Sequence, residues 1–549
     1  MTCPSCGQPL ADPSLPCPTC GHAVPASPWA RPDGELSEEP PTDGASGGDD
    51  TSGFASPGQY AAAHPEAAAP VATFVPEWTT ATPAPPRRRA LPVLVAALVL
   101  VLVGGGVAAA GTYLGWFGAA GSRPAEVVPA TAVGYVQVDL DPSLAQKAAA
   151  WQFLRDLPEV RDAVAAGEAD PAAIAWKVLA EAVDSPFAGL DYARDVKPWL
   201  GSRLAVAVVP NATGAAGLVV VQVTDEAKAR TAIADLAARA GQACDVTIRD
   251  GYALITRTGD TGAVVAALEA GSLAQNHTFS ADFGSLGDPG VLAGWADLGA
   301  LAKLQGGAGS GADLVAQGRA VGALSFSADT LALAGRLLDM GEVGLHGQAD
   351  IGELPTSTWA AIGYAGLGDA VDKEWSRIGP EAGQLLEGLG LTREDLIALL
   401  GRSVTVGISS SGAGAPDLAT PPDLGARIVT SDLDRATAAL AKLRAGLGQE
   451  SVFVRSEGEV LTVSTSDSYG EDLVRPATPL STRDEFAKAV PEHARATISG
   501  FVNLAVLEDR LDGVDPRYRG FVGSLRSAGL AFVPDGDGQG SWSVRLIRS

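Results

Sequence analysis

Seven segments of residues 124–549 recur, in the same order, further along the same chain. "VPATAVGYVQVDLD" (128–141) is echoed by "LPTSTWAAIGYAGLGD" (354–369), and "PWLGSRLAVAVV" (198–209) by "ALLGRSVTVGI" (398–408). "VTDEAKARTAI" (223–233) is echoed by "TSDLDRATAAL" (430–440), and "VTIRDGYALIT" (246–256) by "VFVRSEGEVLTV" (452–463). "AGWADL" (293–298), "AVGALSF" (320–326) and "GRLL" (335–338) are followed by "SGFVNL" (499–504), "SAGLAFV" (527–533) and "VRLI" (544–547). Pro129 stands 226 residues before Pro355, whereas Gly201 stands 200 before Gly401, so the first copy holds extra residues early. A period of roughly 200 residues is far too long for a solenoid. The chain is therefore expected to fold as two related halves, 124–340 and 350–549.

Each half shows the same run of patterns. Val136, Val138 and Leu140 fall on one strand face, and Tyr135, Gln137 and Asp139 on the other. Asp141-Pro142 reads as a helix start, a capping carboxylate followed by proline at the first helical position. "GLVVVQV" (217–223) is apolar on both faces, which suits an interior strand. Asp225–Ala240 has Ala229, Ile233, Leu236 and Ala240 at helical spacing, so that face is expected to turn inward. Asp250-Gly251 suits a tight hairpin turn, and "LSFSADTLALAGRLL" (324–338) reads as a second hairpin. The expected class is α+β, an internally duplicated domain of antiparallel sheets with packed helices. To it are added a small four-cysteine zinc ribbon and one transmembrane helix.

The ribbon is residues 1–22. Cys3, Cys6, Cys17 and Cys20 form two CPxCG turns. Each glycine lets the backbone turn without a Cβ clash. Two such turns complete a closed tetrahedral thiolate shell, the arrangement of structural Zn2+. So small a core folds only with its metal. Residues 23–89 are rich in Pro, Ala, Gly, Ser and acid. They bury too little apolar surface to offset chain entropy and are expected to be a disordered tether.

Residues 90–117 read as a membrane span. No charge occurs from Ala90 to Ser122, and Leu91–Tyr113 alone can cross roughly 30 Å of hydrocarbon as a helix. Arg87, Arg88 and Arg89 abut its amino end, so that end is expected in the cytoplasm and residues 124–549 outside it. Reduced zinc thiolates require the same compartment.

Charge removes some functions. The chain carries 64 acidic and 39 basic side chains. Residues 123–549 hold 54 of the acids and 35 of the bases, a net of −19 (35 − 54). Such a domain is a poor partner for nucleic acid, which needs clustered cations. It is also repelled by anionic lipid head groups. Histidines are few, and His277, His346 and His493 lie far apart, none of them in a carboxylate or cysteine pattern. No HExxH, GxSxG or P-loop pattern occurs. Asp139 and Asp141 are read as pointing to different strand faces, which favours capping and solvation over acid–base work. Cys244 is read as a buried structural thiol. "PDGDGQGS" (534–541) is read as a Gly-rich hairpin turn; Asp535 and Asp537 lack the downstream acid of a calcium loop.

"VPATAVGYVQVDLDPSLAQKAAAWQFLRDLPEV" (128–160), after a single apolar run, resembles the opening of DUF3352, an actinobacterial domain of unknown function. The resemblance implies a surface-exposed bacterial setting and brings no catalytic residues. The expectation is a single-pass membrane protein whose duplicated domain binds an envelope ligand or partner without catalysis, in a groove between its halves. Its ribbon would meet a cytoplasmic protein. Two other readings stand beside it: an envelope enzyme or regulator that uses facing carboxylates, and a structural spacer.

Overall fold

The computed structural model describes residues 123–549, except 168–169, 171–172, 174–175, 177–188, 213, 305–317, 342–345, 410–421, 448–451, 507–515, 517–518 and 537. The zinc-ribbon cysteines Cys3, Cys6, Cys17 and Cys20, the tether and the span Leu91–Tyr113 lie outside the described residues.

Sixteen antiparallel strands form one sheet. The first half contributes β1 (Gly134–Asp139), β2 (Leu200–Asn211), β3 (Gly214–Val223), β4 (Cys244–Arg249), β5 (Tyr252–Arg257), β6 (Leu292–Asp297), β7 (Arg319–Phe326) and β8 (Thr330–Leu338). The second contributes β9 (Thr358–Ala365), β10 (Ser403–Ser409), β11 (Asp423–Val429), β12 (Phe453–Glu457), β13 (Val460–Ser464), β14 (Ile498–Asn503), β15 (Leu525–Gly536) and β16 (Gln539–Arg548). The spatial order is β12-β13-β11-β10-β9-β14-β15-β16-β8-β7-β6-β1-β2-β3-β5-β4. Read outward from the centre, both halves follow one order: last strand, seventh, sixth, first, second, third, fifth, fourth. The fold is α+β.

Local chemistry explains the elements. The hairpin between β4 and β5 turns at Asp250 and Gly251, both in the left-handed region, where an Asp-Gly pair is favoured. Pro129 bridges Ser272 and Pro355 bridges Pro479, so the same entry turn opens each half. The extra residues of the first half lie between β1 and β2 and include the helices Leu144–Leu154 and Pro158–Ala165. The first of these is capped by Ser143, whose hydroxyl accepts from the Gln146 amide. Asp141 therefore does not cap it, as its sequence position suggests, and pairs instead with Lys147. Helix Glu226–Arg239 is capped by Asp225 and buries Ala229 and Ile233. Leu236 is only half-buried and Ala240 is exposed, because the helix ends there.

One sequence echo is corrected by the ladder. The match of "AVGALSF" to "SAGLAFV" sets Gly322 against Gly529. Trp295 faces Val321 in the first half, and its counterpart Phe501 faces Gly529 in the second. Val321 thus corresponds to Gly529, and Gly322 to Leu530. A shift of one residue exchanges the two faces of a strand, so it decides which positions are covered.

One sheet face is packed in both halves. Tyr135 is 1% exposed, with Leu218, Leu254, Trp295 and Val321 in its cluster. Its ring meets Phe279 edge-on at 5.3 Å. In the second half Phe501 meets Phe486 at 5.0 Å in the same way. The other face is covered towards the two ends of the sheet. Helix Glu226–Arg239 lies over β4 and β5, and helices Arg393–Leu400 and Leu433–Leu447 lie over the β10, β11 and β13 side chains Val404, Ile428 and Leu461.

Candidate functional site

Helix Leu144–Leu154 covers part of the middle of that second face, with Val138, Leu324 and Leu546 in its cluster, and beside it the face is open along one row. Strand alternation places Val219, Val206 and Val136 in one cross-strand row. They are 38%, 52% and 41% exposed. In the second half Val406, Ile362, Gly500, Leu530 and Val544 form the corresponding row, and Leu333 of β8 continues it across the seam. Val544 is 48% exposed. Six strands thus present a line of apolar positions about 24 Å long at ~4.8 Å per strand. Exposed apolar residues scattered singly need no explanation, but a contiguous row does.

Within this row lies a groove of about 390 Å³, inside the range of about 300–1,000 Å³ typical of ligand sites. Its walls are Ile362, Val406, Ile408, Val502, Leu530 and Val544, and its floor is small residues such as Ala360 and Ala528. Gly500 keeps the floor low: a Cβ there would press on the Leu530 side chain at 3.0 Å. Every lining side chain is hydrocarbon, and the lining strands spend their backbone groups on the ladder. The groove can exclude water from an apolar body; it has no side chain with which to move a proton.

The halves are joined by strand pairing. At the seam β8 and β16 pair continuously, from Thr330 with Ile547 to Leu337 with Gly540. Helix Leu144–Leu154 also crosses the seam. Phe153 packs in a cluster with Phe521, Leu525 and Leu546, and Arg548 donates to the carbonyls of Gln152 and Phe153.

A second cavity, about 380 Å³, belongs to the first half and is lined by Arg123, Gln137, Asp139, Arg203, Phe279 and Ser280 among others. Burial pushes the Asp139 carboxyl up from its usual range, against the lowering effect of the Asp141 amide and of Arg203. The corresponding residues of the second half are Gly363, Ala365 and Ser403, by the register of β1 with β2 and of β9 with β10. There Ile351 and the Ala349 carbonyl crowd Gly363, so the space is filled. A third cavity, about 570 Å³, lies between Tyr192–Val196 and helix Glu226–Arg239. Its Arg194 is held by Asp195 at 2.7 Å.

The remaining sequence-flagged residues are dispersed. Two histidines do have carboxylates beside them in space: His346 Nε2 lies 2.9 Å from Asp369, and His493 Nδ1 lies 2.7 Å from Asp350. Both partners are remote in sequence from their histidines, which is why the pattern did not show them. Asp139 and Asp141 do not act from opposite faces; the Asp141 amide donates to Asp139 in a local turn at 2.8 Å. Cys244 begins β4 as a half-buried free thiol. Asp535 pairs with Arg336 at 3.3 Å, and Asp537 lies outside the described residues. Among the described residues no three His, Cys, Asp or Glu side chains gather as a metal site, and no helix is long and apolar enough to cross a membrane.

Sequence reasoning missed the open face. The signal was present, since "LAVAVV" is apolar on both faces and "VTVGI" sets Val404, Val406 and Ile408 on one. A strand of that kind is ordinarily covered on both sides.

Comparison with known proteins places residues 93–276 in the profile of DUF3352, a protein of unknown function. The matched range begins inside the apolar run and ends past β5. No curated protein and no solved structure matches the chain.

Proposed function

From the DUF3352 match and the open sheet face, we propose that this chain is a membrane-tethered binding module that takes an apolar ligand on its sheet without catalysis. The observation that carries the reading is the exposed row from Val406 to Leu333, uninterrupted by charge. The repeated strand order supports origin by internal duplication. The uncharged run Leu91–Tyr113 with its arginine collar supports a single span, the amino end in the cytoplasm and residues 124–549 outside. Cys3, Cys6, Cys17 and Cys20 are the residues that would hold structural Zn2+, leaving no open ligand position. The ribbon then serves as a cytoplasmic contact. Net charge argues against nucleic acid as a partner.

The reading is tested on the full chain in nanodiscs with adamantyl diazirine, a small apolar carbene precursor. Mass spectrometry is expected to find label on β9, β10 and β14–β16 in excess of label on the edge strand β4. Val406→Asp should lower it. Equal labelling of the row and of β4 overturns the reading.

A further inference from the structure

We infer that the groove beside the seam holds one acyl chain of a bilayer lipid. This rests on the binding reading above and names its ligand. Three observations select the occupant.

The first is chemical. The groove lining offers neither donor nor acceptor side chains, and the ladder occupies the backbone of its strands. An extended peptide laid there would bury its own amides unpaired, at a cost comparable to lost hydrogen bonds. An alkyl chain has no such groups.

The second is charge. Residues 123–549 carry a net of −19 (35 − 54). Two copies pressed face to face would bring these charges together, whereas a hydrocarbon chain adds none. The same charge disfavours an anionic head group, so a zwitterionic lipid is the better donor of the chain.

The third is reach. The uncharged run continues to Ser122, and Arg123 is the first described residue. The residues from Phe117 to Arg123 span at most ~20 Å when extended, which keeps the domain at the bilayer surface. The row of exposed side chains is about 24 Å long. A chain that traverses one leaflet covers about half of the ~30 Å hydrocarbon core, so it fits along the row with its head group left in water.

The test uses the full chain in nanodiscs that contain phosphatidylethanolamine with a diazirine on one acyl chain. Photolysis is expected to label peptides of β9, β10, β14, β15 and β16 as well as the Leu91–Tyr113 run. Ala528→Trp, which fills the floor, should cut the strand label at least tenfold and spare the label on Leu91–Tyr113. Val544→Asp, at an exposed position where folding tolerates a charge, should do the same if the tryptophan variant fails to fold. Fatty acids of ten to sixteen carbons should compete about fourfold better per added methylene. Lipid label confined to Leu91–Tyr113, or competition indifferent to chain length, overturns the acyl-chain assignment. If adamantyl diazirine still labels the row in that case, the binding reading survives; if it does not, both fall. Strand label lost on dilution of the protein, with a mass that doubles on concentration, assigns the face to a second copy and also overturns the inference.

Discussion

The first and second halves share a strand order and differ in what they bury. In the first, Asp282 is buried, accepts from the Trp295 indole at 2.9 Å and pairs with Arg319 at 2.6 Å. In the second, the residues at these places are Ala489, Phe501 and Ser527, the last two by register. Phe501 is packed in hydrocarbon, and Ser527 donates to the Glu485 carbonyl at 3.0 Å. The first half keeps a polar cavity at Gln137, Asp139 and Arg203, and the second fills it. On the open face the relation is reversed. Gly322 and Gly335 of the first half lie flat where Leu530 and Val544 of the second raise the walls of the groove. The backbone order is thus set by features both halves retain, namely alternating apolar strands and tight turns. Cavities are set by a few side chains that the two halves do not share.

The largest test of that contrast is the buried ion pair. Arg319→Met strands the Asp282 carboxylate and should cost about 3–5 kcal/mol in urea unfolding. Transplanting the second half's residues, with Asp282→Ala, Trp295→Phe and Arg319→Ser together, should recover most of the loss. If the triple variant is no more stable than the single one, the two halves are not interchangeable at this site.

Next comes the seam. Gly335→Ala drives a Cβ into the Val321 carbonyl oxygen, well inside contact distance. Backbone cannot yield there as a side chain can, and a loss of about 3 kcal/mol is expected. Gly500→Ala in the other half meets only the Leu530 side chain, which can turn aside, and should cost under about 1 kcal/mol. Equal losses would erase the distinction between Gly335, packed against backbone, and Gly500, at the groove floor.

Arg548→Ala removes charged hydrogen bonds from the second half to helix Leu144–Leu154 of the first and should cost about 2 kcal/mol. A calorimetric trace that divides into two transitions in this variant would show that this contact, added to the paired strands, makes the halves cooperative.

The smallest effects are in pH. In the second half Lys442 holds the Asp395 carboxyl below its usual range. Burial pushes the Asp350 carboxyl up, but the hydrogen bond and charge of His493 outweigh it and leave it lowered. Folding therefore favours the ionised forms. The stability they add is complete above the unfolded carboxylate value of about 3.9 and is lost as pH falls through their folded values. Asp139 in the first half behaves oppositely, since burial raises it and ionisation opposes folding. Asp139→Asn should raise Tm at pH 7 and give no gain in acid below the carboxylate range. A variant that destabilises at both pH values would remove the contrast.

How much was legible can be judged residue by residue. The "Asp-Gly" turn at 250–251, the helix that follows Asp225 and the ordered echoes announced themselves because each depends on neighbours in the chain. The Asp350–His493 and Asp282–Arg319 pairs did not, because their partners stand 143 and 37 residues apart. Nor did the match of Gly322 to Leu530, since similarity of letters does not fix hydrogen-bond register. The open groove was hidden for another reason. Apolar alternation states that a face avoids water, and it does not state what covers that face.

By itself the sequence determined that residues 124–549 repeat one α+β pattern, and it carried the resemblance to DUF3352, because alternation, turns and caps are local consequences of side-chain chemistry. Tertiary structure alone decided that the halves share one sheet through β8 and β16, that Asp282 and Arg319 pair where the second half packs Phe501 in hydrocarbon, and that a row of valine, leucine and isoleucine side chains stands uncovered. Those outcomes depend on which surfaces meet across hundreds of residues, where the energies of burial and desolvation are settled by neighbours that no local pattern names.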